Sequence, residues 1–96
     1  MTQDDAASLR DELKALLIRK LRLRDVGAGS ITDTEPLMRG PLGLDSIDIL
    51  ELALAVEERY GVKISDEELG KQAFRSIAAL ADFITEVRAA RGLPVP

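Results

Sequence analysis

The chemistry open to this chain rests on hydroxyls and carboxylates. It contains no cysteine and no histidine. That removes a thiolate nucleophile, an imidazole base, a disulfide framework and a zinc site of the Cys/His type, and no metal is expected. Of the five serines, Ser8, Ser65 and Ser76 read as helix-start residues and Ser30 lies in a loop. Ser46 differs, because it stands where a glycine-rich loop meets an acidic helix. Asp and Ser are both favoured helix caps there, so capping alone would explain it. A serine nucleophile needs a base, and no histidine exists to serve as one. Modification by another enzyme needs only exposure and local shape. Helix starts also hold phosphates well, through unpaired amides and the helix dipole. Asp45 and Asp48 would repel such an anion, so those acids suit a cationic partner better.

The elements that must position Ser46 are helical. Leu9, Leu13, Leu16, Leu17 and Leu21 recur at helical spacing, predicting an amphipathic helix over about 5–22, with Thr2, Asp4 or Asp5 as its cap. Residues 27–44 collect Gly27, Gly29, Gly40, Gly43, Pro36 and Pro41 and read as a loop. A loop this long is uncommon in a compact domain, so it is either functional or evidence against the helix assignment, and Leu37, Met38, Leu42 and Leu44 should pin it to the core. Residues 46–60 lack glycine and proline and read as a second helix, stopped by Gly61. Ser65 and Glu68 form a capping box for a short piece at 66–71. Ser76 caps a last helix over 76–91 with Ile77, Leu80, Phe83, Ile84 and Val87 inside. Arg88 and Arg91 suit the dipole at its C-terminus, and Gly92 and Pro94 end it. Val62–Ser65 is too short to found a sheet. At 96 residues, the expectation is one all-α domain, a small bundle of three principal helices and one short one.

Charge and apolar patterning single out the second helix. The net charge of −4 equals that of residues 45–60 alone, where Asp45, Asp48, Glu51, Glu57 and Glu58 face only Arg59. An acidic balance argues against a nucleic-acid partner, which needs a basic face. No apolar run approaches a membrane span and no secretory signal opens the chain, so a cytoplasmic protein is expected. On a helical wheel Ile49, Leu52, Ala53, Val56 and Tyr60 form one core-facing stripe. Ile47, Leu50 and Leu54 form a second, more than about 100° away at 3.6 residues per turn. Either the long loop folds over that second stripe, or it is an exposed strip rimmed by acids, fit to dock a basic partner.

The run Gly43-Leu44-Asp45-Ser46-Ile47-Asp48, followed by Leu50-Glu51-Leu52, resembles the phosphopantetheine attachment motif of acyl carrier proteins. The similarity continues through Val56–Gly61 and Val62–Glu68 and spans about residues 7–88, including helix order and the long first loop. The resemblance implies that Ser46 receives 4'-phosphopantetheine from coenzyme A by a phosphopantetheinyl transferase, and that the arm's thiol carries acyl groups as thioesters. The reactive sulfur absent from the chain would then sit on the cofactor. It further implies that Asp45 helps the transferase engage. Ile47, Leu50 and Leu54 would give apolar partner contacts, and Asp48, Glu51, Glu57 and Glu58 acidic ones. Partners would be acyl-loading enzymes and ketosynthase-type or acyltransferase-type enzymes, met by a monomeric carrier that is not itself an enzyme.

Departures from the family pattern suggest a dedicated stand-alone carrier for a polyketide, aryl-polyene or modified lipid. Ile47 replaces the usual leucine, Pro41-Leu42 precede Gly43, and Arg39 lies in the loop. Arg19, Lys20, Arg22 and Arg24 make the end of the first helix basic. Two alternatives are a peptidyl or D-alanyl carrier, with the same arm and serine, and a non-carrier helical adaptor in which Ser46 is only a cap.

Overall fold

Leucines at the first helix's inner positions are where the core begins. In the computed structural model, which describes residues 2–22, 27, 31–38, 43–64 and 67–93, Leu9, Leu13, Leu16 and Leu17 are buried and Leu21 is half-buried against them. Four helices follow in order: α1 Thr2–Leu21, α2 Ser46–Tyr60, α3 Glu67–Ala73 and α4 Ile77–Ala90. Helix α1 begins at Thr2, so Asp4 and Asp5 lie inside it rather than capping it. Helix α3 spans Glu67–Ala73 rather than 66–71; the proposed capping serine, Ser65, falls outside the described residues. Among the described residues the only extended pairing is one isolated parallel bridge, Met38 to Leu44. The fold is an all-α bundle.

Three helices enclose a core that is mostly aliphatic. Helix α2 contributes Leu52, Ala55, Val56 and Tyr60, and α4 contributes Ile77, Leu80, Ala81 and Ile84. Phe74 and Val62 complete it from the connecting segments. Ile49, Ala53, Phe83 and Val87, read from the sequence as inward-facing, are only partly buried. Ala55 was on neither stripe of the wheel, yet it is buried, because the core side of α2 widens away from the second stripe.

The loop between α1 and α2 is tied down at several points. Ile31, Leu37 and Leu44 are buried in the core and Met38 is half-buried; Leu42 lies outside the described residues. Asp33 is the principal tether. Its carboxylate accepts from Lys14 Nζ at 2.6 Å and from Arg10 at 3.1 Å, while its carbonyl accepts from Ala78 N–H at 2.8 Å. One loop residue thus joins α1 to the start of α4. Lys14 and Arg10 hold the Asp33 carboxyl below its ordinary range, against the opposing effect of burial. Thr32 and Glu35 exchange the bonds of a capping box, here closing a loop turn.

The C-terminal ends of α2 and α4 are joined. Gly61 adopts φ 70°, the left-handed conformation that ends a helix most easily without a Cβ. Arg91 then donates to the Gly61 carbonyl at 2.8 Å, and Arg88 donates to the Tyr60 carbonyl. The two arginines were expected to serve the dipole of their own helix. Arg88 does lie in the last turn of α4, and both side chains also reach carbonyls at the end of α2, which have no intrahelical donor.

Candidate functional site

The site is built around the first turn of α2. Gly43 has φ +62° with open space around the Cβ position, so glycine is needed there for its backbone conformation. Leu44 is buried and anchors the approach. Asp45 then takes an extended conformation and acts as N-cap, its Oδ1 accepting from Ile47 N–H and Asp48 N–H at 3.0 Å each. Asp48 Oδ2 accepts from Asp45 N–H at 3.1 Å. The two carboxylates therefore close a reciprocal capping box.

This corrects the reading of Ser46 as a cap. Asp45 holds that position, and Ser46 is the first helical residue. Its side chain is exposed, and among the described residues its hydroxyl has no hydrogen-bond partner. Ser76 does the opposite at the start of α4: it is buried, and its Oγ accepts from Ala79 N–H at 3.1 Å. One serine is committed to its helix and the other is left open. An exposed hydroxyl with no internal partner can take a phosphodiester without losing a structural bond.

The second stripe lies open beside it. Ile47, Leu50 and Leu54 are 69 %, 61 % and 55 % exposed. The described part of the loop, residues 31–38 and 43–44, therefore leaves this stripe open. Glu51 and Glu58 are exposed and Glu57 is half-buried. Asp48 differs from these acids because its carboxylate turns back onto the backbone. At the far end of the helix, Arg59 and the Tyr60 hydroxyl both donate to Glu12 Oε1 at 3.2 Å. Arg59 also lies 5.8 Å from the centre of the Tyr60 ring. Burial raises the Tyr60 hydroxyl above its ordinary range.

Among the described residues no cluster of acids could hold a metal ion, and no helix is long and apolar enough to cross a membrane. The family model described as a phosphopantetheine attachment site matches residues 11–84. The chain belongs to the acyl carrier protein family. The curated acyl carrier protein of Brachyspira hyodysenteriae is 34 % identical over 79 residues, covering 82 % of this chain and 95 % of that protein. That of Clostridium perfringens is 36 % identical over 76 residues, 79 % of this chain and 92 % of that protein. That of Helicobacter pylori (strain G27) is 34 % identical over 64 residues, 67 % and 77 % respectively. No solved structure matches significantly. Membership brings a covalently attached 4'-phosphopantetheine, and with it partner enzymes that modify the carrier and handle its acyl groups.

One feature of this site and one of the fold around it were not legible in the residues alone. The division of labour between Asp45 and Ser46 was open, because both residue types cap helices; the acid three positions after Asp45 was the available signal. Asp33 carried no signal beyond its being an acid in a loop with cationic residues on the preceding helix.

Proposed function

We propose that Ser46 is the attachment residue, and that the chain is a stand-alone carrier holding acyl intermediates as thioesters for a fatty-acid-like, polyketide or specialised lipid pathway. The observation that carries the assignment is the open Ser46 hydroxyl at the head of a helix whose exposed strip adjoins it. In loading, the Ser46 hydroxyl attacks the phosphorus of coenzyme A that bears the pantetheine. The Oγ–P bond forms as the pyrophosphate bond breaks, adenosine 3',5'-bisphosphate leaves, and the hydroxyl proton passes to a base of the transferase. When bound, the arm supplies a thiol for thioester formation. The chain itself contributes no catalytic group and acts as substrate for the transferase, acyl-loading enzymes and ketosynthase-type or acyltransferase-type enzymes. It works as a monomer in the cytoplasm, where coenzyme A is available.

Ile47, Leu50 and Leu54 offer partners apolar contact, while Glu51, Glu57 and Glu58 attract basic patches on them. The test is incubation with coenzyme A and a promiscuous phosphopantetheinyl transferase, followed by intact mass. A gain of one phosphopantetheine, lost in Ser46→Ala, is expected. No gain would return the chain to the helical-adaptor reading, and an aminoacyl cargo on the native protein would move it to the peptidyl or D-alanyl class.

A further inference from the structure

Two neighbouring residues, Asp45 and Ser46, could each cap α2, and the outcome decides what Ser46 can do. If Ser46 were the cap, the helix would begin one residue later and the serine Oγ would accept from a first-turn amide, as Ser76 does with Ala79. The hydroxyl would then be turned into the helix end. With Asp45 as cap, Ser46 lies within the helix and its hydroxyl is unclaimed. Asp45 alone does not settle this, since Asp and Ser cap about equally well. A second contact favours Asp45: Asp48 Oδ2 accepts from Asp45 N–H at 3.1 Å. That bond is the one Asp48 makes as the third helical residue of a capping box, and it adds to the bonds from Ile47, Asp48 and Ile49 N–H to Asp45 that start α2 at Ser46.

We infer that Asp48 is a positioning residue for the loading of Ser46: it sets the cap on Asp45 and so keeps the Ser46 hydroxyl free. Asp48 is then set apart from Glu51, Glu57 and Glu58, whose carboxylates are available to a partner. This rests on the assignment of Ser46 as the attachment residue, but the position of the cap can be read without any loading.

The contrast between Asp48→Asn and Asp48→Ala tests it. Asparagine keeps a side-chain acceptor and removes the charge; alanine removes both. With purified transferase and coenzyme A, Asp48→Ala should lower kcat about tenfold with little change in KM, the scale of one lost orienting hydrogen bond. Asp48→Asn should restore most of that kcat. In the unloaded protein, Asp45 N–H should exchange with solvent faster in Asp48→Ala than in wild type or Asp48→Asn. Thermal melting checks that all three fold. Equal losses in both variants through a raised KM would make Asp48 a docking charge and overturn the proposal. Unchanged kcat in Asp48→Ala, or unchanged exchange at Asp45, would overturn it too. If wild type takes no arm while the exchange pattern holds, the attachment assignment fails and the cap assignment stands.

Discussion

At Ser46 the distinction that matters is between a hydroxyl that supports its helix and one that does not. Ser76→Ala removes the bond to Ala79 N–H and should destabilise the fold by about 1 kcal/mol. Ser46→Ala removes no internal bond and should leave the melting temperature nearly unchanged while abolishing the mass gain. A melting comparison of the two variants checks this directly. The same contrast applies to the apolar residues of α2. Val56 is fully buried, so Val56→Ala should cost on the order of 1–3 kcal/mol through lost burial and a residual cavity. Leu50 is 61 % exposed, and Leu50→Ala should cost far less in denaturant unfolding while weakening partner association.

At the scale of the helices, the ends explain more than the middles. Gly61→Ala should destabilise by about 1 kcal/mol: no neighbour would meet the new Cβ, so the cost is that of a left-handed backbone alone. Arg22 follows the last residue of α1 at φ 55° with no such exemption. Arg22→Gly should therefore stabilise the protein by roughly 0.5–1 kcal/mol. Opposite shifts in chemical denaturation would bear both out.

Helix content was largely legible in the sequence because leucine spacing and glycine breaks are local signals. Leu9 to Leu21, Leu52, Val56 and Ile77 to Ile84 all followed from periodicity. What could not be read was contact between distant segments. Arg88 and Arg91 suit the C-terminal end of their own helix, but their bonds to the Tyr60 and Gly61 carbonyls depend on how α2 is placed beside them. Asp33 looks like an ordinary loop acid until Lys14, Arg10 and Ala78 converge on it. The exposed strip was legible as a pattern, but only packing could decide whether the loop covered it.

For the whole molecule, the Asp33 tether predicts an acid limb of stability. Its carboxyl is lowered from 3.8 in the folded state, so the stability it contributes is present above that value. It is lost as pH falls through the lower, folded value. Asp33→Asn should be less stable than wild type at neutral pH, with a loss on the order of 1 kcal/mol for two partly exposed ion pairs. The difference between the two proteins should shrink as pH falls below 3.8 and vanish once pH has passed the lower, folded value, as melting across pH would record. The acidic face makes a separate prediction. Reversing Glu51 and Glu57 to lysine should weaken binding to the transferase or a synthase, most at low salt, with little change in fold, since exposed charges mainly steer association. Unchanged binding at low salt would make that face ordinary solvated surface.

The bonds from Arg88 and Arg91 to the Tyr60 and Gly61 carbonyls have a practical consequence for protein engineering. Trimming the chain ahead of residue 88 would delete only the last turn of α4 by sequence, yet the damage would register at the end of α2. A deletion series from the C-terminus should therefore perturb the amide signals of Glu57 to Val62, some thirty positions upstream, before it disturbs the start of α4.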